Sequence, residues 1–219
     1  MAGVLLAAGA GSRLGQPKAT VEVRGEPLAR RGVALLHDGG AQPIVVVTGA
    51  VAVDLPGVLI VHNPGWRSGM GSSLAAGLAM VPDSCEAAVI ALVDQPLVGP
   101  EAVRRLIAAY RAGARVAVAA YDGSPRNPVL IAREHWPEVT ALAVGDTGAR
   151  PFLRAHPALV TPVECGDTGS PEDVDTRADL ARIEGLARPG GSSTGPAGVS
   201  TGGAGPDGVS TGGAGQGQG

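Results

Sequence analysis

Val4-Leu5-Leu6-Ala7-Ala8 is a continuous apolar run that stops at Gly9, the pattern of a strand covered on both faces. Pro27 to His37 follows with Leu28, Val33, Leu35 and Leu36 at helical spacing and Gly39-Gly40 as its stop. Ile44 to Thr48 and Val58 to His62 are short β-branched runs, and Met70 to Met80 repeats Leu74, Leu78 and Val81 with a helical period. Ala87 to Val93 is the most apolar strand pattern in the chain. Pro100 to Ala112 reads as a helix with proline in its first turn, and Arg115 to Ala120 as a strand. After Pro128-Val-Leu-Ile131 the pattern is less regular, with helical stretches near Arg133 to Val144 and Ala149 to His156. A strand at Leu159 to Val163 and a helix from Thr176 to Ala187 close the series.

Strand and helix alternating in this way predict an α/β fold: a Rossmann-like, mostly parallel sheet with helices on both faces. In such sheets ligands bind beyond the carboxyl ends of the strands, so chemistry is expected after Ala8, after His62 and after Val93.

Composition then narrows the picture. From Pro189 onward the chain is mostly Gly, Ser, Thr, Ala and Pro, with two Val, two Gln and one charged side chain, Asp207, and Gly198 to Gly205 recurs word for word at Gly208 to Gly215. So little apolar surface cannot offset ordering entropy, which predicts a domain over 1–188 and a disordered tail over 189–219. A net charge of −3 with interspersed Arg and acidic residues argues against a nucleic-acid binder, and 2% aromatic residues are too few for base stacking. No apolar run reaches membrane-span length and no signal peptide opens the chain, so a cytoplasmic protein is expected. Cys85 and Cys165 form no C-x-x-C pair and read as buried, inert thiols. The four histidines show no zinc-ligand spacing. G-x-S-x-G occurs at Ser193, Ser200 and Ser210, but all three lie in the tail without the strand and helix that a nucleophile elbow needs.

Among the 17 basic residues only Lys18 is a lysine. A chain that uses Arg for every other cation and Lys once suggests a place for a compact ammonium, a chance surface lysine being the plain alternative. Lys18 ends the loop Gly9-Ala-Gly-Ser-Arg-Leu-Gly-Gln-Pro-Lys18. Its glycines allow close backbone approach and an anion nest, and Arg13 and Lys18 add cationic donors, so polyphosphate is the natural guest. It is neither a sound dinucleotide fingerprint, because the third glycine falls at Gly15 and Pro17 interrupts the segment, nor a Walker loop. After the strand ending at His62, Asn63-Pro-Gly-Trp66 leads into Gly69-Met-Gly-Ser-Ser73, where helix N–H groups would meet a nucleotide or a serine would cap the helix. Asp94-Gln-Pro96 puts a carboxylate at a strand's carboxyl end, placed for Mg²⁺ or for a cap. Asp173-Val-Asp175-Thr176 offers a second ligand, with Asp175 and Thr176 also suited to capping.

Taken together, Leu6-Ala-Ala-Gly-Ala-Gly-Ser-Arg-Leu-Gly-Gln-Pro-Lys18, Asn63-Pro-Gly-Trp, Gly69-Met-Gly-Ser-Ser-Leu74, Asp94-Gln-Pro, Gly145-Asp-Thr-Gly-Ala-Arg150 and Asp173-Val-Asp-Thr176 resemble the molybdenum cofactor cytidylyltransferase family over about residues 3 to 185. Proteins with this pattern also carry the label nicotine blue oxidoreductase. The resemblance implies a single nucleotidyltransferase domain that moves CMP from CTP onto a molybdopterin-type acceptor and releases pyrophosphate. It further implies Mg²⁺ as cofactor and a molybdoenzyme or its maturation factor as partner. Leu6, Ala7, Ala8, Gly9, Gly11, Ser12 and Arg13 would then hold base and phosphates, Lys18 the α-phosphate, Gly71 and Ser72 the nucleotide, and Asp94 with Asp175 the metal. Lys18, Arg13 and Asp94 would be catalytic. Ala8 resembles the CTP-using branch. Ser124-Pro-Arg-Asn-Pro128, Leu14 and Arg177 depart from the family pattern. An NAD(P)H-dependent oxidoreductase and a nucleotide-binding protein without turnover are the alternative readings.

Truncation after Arg188 should leave melting temperature and activity unchanged, because the segment beyond it has almost nothing apolar to dock. A fall of several degrees in calorimetry would show that it packs.

Overall fold

A computed structural model describes residues 1–186 of the chain; the disordered-tail expectation and the three G-x-S-x-G matches lie outside the described residues. Strand β1 (Ala2–Leu6) is buried at every position and sits in the middle of a seven-stranded sheet. Helix α1 (Leu28–Asp38) returns the chain to β4 (Ile44–Thr48), parallel to β1, and β5 (Leu59–His62) extends the sheet outward as its edge. Helix α2 (Met70–Ala79) then crosses back to β6 (Ala87–Leu92), which pairs with β1 on its other side. Helix α3 (Pro100–Arg111) leads to β7 (Val116–Tyr121), joined by a hairpin to β8 (Ser124–Ala132). Helices α4 (Trp136–Leu142) and α5 (Arg150–Ala155), strand β9 (Val160–Glu164) and helix α6 (Arg177–Leu186) complete it.

The strand order is β5-β4-β1-β6-β8-β7-β9, and β8 alone runs antiparallel to its neighbours. The sheet is therefore mostly parallel with helices on both faces, the architecture that the strand–helix alternation predicts. Alternate residues of β1 face two layers. Leu5 packs with Leu28, Leu36, Val103 and Ile183 on one side, and Val4 and Leu6 pack with Leu74, Leu78 and Phe152 on the other. The chain leaves β1 in one direction towards β4 and β5 and reaches β6 on the opposite side. That reversal opens a crevice at the carboxyl ends of β1 and β6.

Several boundaries and one hairpin differ from the sequence expectation. β1 ends at Leu6, two residues early, because Ala7 and Ala8 continue the backbone bonding only through Ala7 N–H to Val47 O and Ala50 N–H to Ala8 O. Pro128-Val-Leu-Ile131, which the sequence pattern left without an element, lies in the carboxyl half of β8, whose five residues from Pro128 to Ala132 are buried between β6 and β7. A two-residue hairpin, β2 (Glu22–Val23) and β3 (Glu26–Pro27), precedes α1 and was not expected. Its turn residues Arg24 and Gly25 both have positive φ (56° and 74°), the primed-turn geometry that suits such a hairpin. Among the described residues, no helix is long and apolar enough to cross a membrane. Both cysteines are free and buried, and burial pushes the Cys165 thiol above its ordinary pKa.

Helix α2 lies so close to the sheet that a Cβ on Gly77 would come within 2.6 Å of Val4 Cγ1 and 2.8 Å of Val47 Cγ2. Gly185, in exposed α6, would meet nothing within 4 Å. Overpacking costs about 1–3 kcal/mol, whereas helix propensity returns at most about 1 kcal/mol for Gly→Ala. Gly77→Ala should therefore lower the midpoint of denaturant unfolding, and Gly185→Ala should hold or raise it. Equal shifts in the two variants would show that propensity, not packing, governs both positions.

Candidate functional site

The loop after β1 folds on itself before it reaches Lys18. Gly11 has φ 58°, and a Cβ there would lie 2.1 Å from Gln16 O, so only glycine fits the bend. Gly11 O accepts from the N–H groups of Leu14 and Gly15, and Lys18 N–H donates to Gly9 O. Leu14 is buried as the anchor of the loop. The N–H groups of Ala10, Gly11, Ser12 and Arg13 have no partner among the described residues, which leaves a row of donors at the loop's surface.

Lys18 then reaches back over the strand ends. Its Nζ lies 2.6 Å from Asp94 Oδ2 and 2.5 Å from Asp175 Oδ1. Burial lowers the pKa of this ammonium, but the charge of Asp94 and the hydrogen bonds to Asp175 and Asp94 outweigh it. The net is a pKa above the ordinary lysine value, so Lys18 is charged throughout the neutral range.

Asp94 follows directly on β6 and Val93, and a second segment is laced to it. Val174 N–H donates to Asp94 O, Ser170 N–H donates to Leu97 O, and Gln95 Nε2 donates to Pro171 O and Asp173 Oδ1. Buried Gln95 is thus the clamp that sets Asp173-Val-Asp175 against Asp94-Gln-Pro96, a role that the sequence reading did not give it. Partial burial and the nearby charges of Asp94 and Asp175 raise the pKa of Asp173, against the Gln95 hydrogen bond. The helix cap belongs to Thr176: its Oγ1 accepts from Asp179 N–H, and Asp179 Oδ2 accepts from Thr176 N–H. With the cap provided by Thr176, the Asp175 carboxylate is free to meet Lys18.

Among the described residues, Asp94 Oδ1 is buried without a hydrogen-bond partner. An unpaired carboxylate oxygen beside a second carboxylate is the donor set Mg²⁺ takes when phosphates and water complete its shell. The pair Asp94 and Asp175 fits such an ion, and Lys18 stands between them as the protein's own cation. Among the described residues, no cluster of three or more His, Cys, Asp or Glu is arranged to hold a metal without a substrate's help.

Lys18 and Asp94 border a cavity of about 210 Å³. Leu6, Ala8, Gly9, Trp66, Gly69, Met70, Ser73, Leu92, Val93 and Asp146 also line it. Trp66 is seated against Gly49, where a Cβ would come within 2.6 Å of the Trp66 Cβ, and Arg67 lies 4.5 Å from the Trp66 ring centroid. Asn63 organises the turn before α2: its Oδ1 accepts from Gly65 N–H, and its Nδ2 donates to Ser72 and Ser73 Oγ.

The expected site residues are therefore only partly assembled around the cavity. Leu6, Ala8, Gly9, Lys18 and Asp94 line it, and Asp175 joins through Lys18. Ala7 points into the opposite layer with Leu5, and Ser12 and Arg13 are exposed on the loop. Gly71 and Ser72 have other work. A Cβ on Gly71 would sit 1.8 Å from Ala143 O, so its glycine serves close packing of the segment after α4. Ser72 Oγ donates within its own turn, to Gly65 O and Gly69 O, rather than capping α2. The first N–H of α2, on Met70, already donates to Asp146 Oδ1. Gly145-Asp-Thr-Gly148 accordingly folds over the start of α2, and Asp146, Trp66, Met70 and Ser73 are the wall that the site expectations left out.

Residues 3–160 match the MobA-like NTP transferase domain. A protein from Paenarthrobacter nicotinovorans named nicotine blue oxidoreductase is 41% identical over 195 residues, covering 83% of this chain and 95% of its own length. Purine catabolism protein PucB of Bacillus subtilis is 26% identical, covering 80% of this chain and 91% of its own. Among solved structures, the Rv0371c homolog from Mycobacterium sp. strain JC1 superposes with a TM-score of 0.74 at 30% identity, over 84% of this chain and 95% of that one. Rv0371c of Mycobacterium tuberculosis, solved as a manganese complex, gives 0.69 at 26% identity, over 84% and 97%. The match spans more than half of the chain, and the chain belongs to the MobA-like NTP transferase domain family.

Proposed function

We propose that this chain transfers CMP from CTP to a phosphorylated, molybdopterin-type acceptor and releases pyrophosphate. The observation that carries the reading is Lys18, the chain's one lysine, held between Asp94 and Asp175 at the mouth of the cavity. An acceptor phosphate oxygen forms a bond to the α-phosphorus of CTP as the bond from that phosphorus to the bridging oxygen of pyrophosphate breaks. No protein nucleophile is needed, so catalysis is positioning and charge neutralisation. Lys18 supplies a fixed point charge for the phosphoryl group in flight. The unpaired N–H groups of Ala10 to Arg13 hold the leaving phosphates, and Arg13 adds a cation beside them. Asp94 and Asp175 would hold Mg²⁺, which neutralises phosphate charge when bound. Ala8 and Trp66 line the cavity, and Ala8 in Leu6-Ala-Ala-Gly9 resembles the CTP-using branch, which supports CTP. The Rv0371c manganese complex supports a divalent ion in this family.

The relative named nicotine blue oxidoreductase favours a second reading, an NAD(P)H-dependent enzyme. Against it stands the path after β1. The chain passes through a loop, a 3-10 turn at Lys18–Thr20 and the β2–β3 hairpin before α1 begins at Leu28. A dinucleotide pyrophosphate needs a helix N-terminus immediately after the first strand, and none is offered there.

CTP with Mg²⁺ should raise the thermal unfolding temperature more than NADPH does, and pyrophosphate should appear when CTP is supplied with molybdopterin. Selective stabilisation by NADPH, with NADPH consumption and no pyrophosphate, would reverse the assignment.

Lys18→Ala should cut turnover by about 10²-fold or more with folding intact. Lys18→Arg should restore little, because a planar fork does not replace a point charge between two carboxylates. Asp94→Asn should shift the Mg²⁺ requirement upward, so that added metal recovers part of the rate. Near-normal turnover in Lys18→Arg together with an unchanged metal titration in Asp94→Asn would remove both residues from the mechanism.

A further inference from the structure

Arg177, the first residue of α6, stands beside the glycine loop, where a Cβ on Gly15 would lie 3.7 Å from its Nη2. The arginines in ion pairs among the described residues are Arg31, Arg104, Arg105, Arg115, Arg133 and Arg182, and Arg177 is not one of them. Acidic side chains surround it in sequence, yet each is engaged elsewhere. Asp173 accepts from Gln95, Asp175 is paired with Lys18, and Asp179 Oδ2 accepts from the Thr176 cap while Oδ1 lies 3.5 Å from Arg182. Glu172 is bound to Arg182. Among the described residues the guanidinium is therefore an unpaired cation beside Gly15 of the loop whose N–H groups from Ala10 to Arg13 are also unpaired.

The backbone that carries it is fixed. The Thr176–Asp179 cap locks the first turn of α6, and the Lys18–Asp175 pair ties the residue two places before Arg177 to the end of the same loop. A guanidinium next to a loop that carries free backbone donors can share an anion with them, and its planar fork suits phosphate oxygens.

We propose that Arg177 binds the terminal phosphates of the nucleoside triphosphate, closing on them from α6 while the Gly9–Lys18 loop holds them from the strand side. The proposal deepens the nucleotidyltransferase reading and rests on it. It gives Arg177 a role distinct from that of Lys18: Arg177 reads the β- and γ-phosphates, so it separates triphosphate from monophosphate and contributes nothing to base recognition.

The test is calorimetric titration of the full chain with CTP, CDP and CMP in the presence of Mg²⁺, on the wild type, Arg177→Gln and Arg177→Lys. Arg177 is exposed and outside every ion pair of the described residues, so both variants should melt at the wild-type temperature. Arg177→Gln should weaken CTP by about tenfold, the scale of one charge-assisted contact, and leave CMP unchanged. Arg177→Lys should lie between, because a point charge keeps the attraction without the fork. Loss of CTP and CMP affinity in equal measure, or no loss of either, would overturn the role given to Arg177 while leaving nucleotide binding intact. Failure of the wild type to bind CTP, GTP, ATP or UTP would instead overturn the nucleotidyltransferase reading, and this one with it.

Discussion

Lys18 between Asp94 and Asp175 is the contact on which the site depends. It joins the loop after β1, the end of β6 and the segment before α6, three stretches far apart in the chain. Two carboxylates so close repel one another, and a third, Asp173, adds to the field. An ammonium between them turns that repulsion into cohesion, and its charge persists because the aspartates more than offset the cost of burial. The same arrangement keeps the site ready for substrate. A cation already resident between two oxygen donors marks where positive charge is stabilised, and the orphaned Asp94 Oδ1 marks where more is wanted.

The second constraint is close approach of backbone to backbone. Gly69 and Gly71 let the segment from Ala143 to Gly145 press against the start of α2, and a Cβ on Gly69 would come within 2.3 Å of the Gly145 backbone. Gly99 and Gly169 do the same where the chain after β6 meets the chain after β9, at 2.0 Å from Thr168 O and 2.2 Å from Leu97 O. Of these glycines, Gly71 looks like a ligand contact in a linear reading. In three dimensions these glycines are the joints that bring Asp146 over the cavity and Asp173 to Asp175 beside Asp94. The wall of the cavity is left to side chains around them, among them Trp66, Met70 and Ser73.

The family is named for NTP transfer, while one relative on the same architecture is named an oxidoreductase. The residues decide between them better than the names do, because a fold hosts many chemistries and the site hosts one. Here the carboxyl end of β1 opens into a folded loop of free N–H groups rather than into a helix. That favours a polyphosphate spread along a loop over a pyrophosphate seated on a helix dipole.

Residue pattern alone specified the strand and helix alternation and a mostly parallel sheet, and it pointed to the loops after β1 and β6, which border the cavity. Apolar runs of strand length and helical apolar spacing are local signals, and hydrophobic burial has only a few ways to satisfy them. It also singled out Lys18 and Asp94, through the scarcity of one and the position of the other. The antiparallel insertion of β8 was not legible, because hydrogen-bond direction leaves no mark on an apolar run that is buried on both faces. Nor was the choice of Thr176 over Asp175 as the helix cap, the clamp made by Gln95 or the freedom of Arg177. Each depends on which partner reaches a side chain first, and those partners lie on segments brought together only when the sheet closes. Tertiary structure decided those competitions because a polar group leaving water takes the nearest good partner, and nearness is a property of the fold.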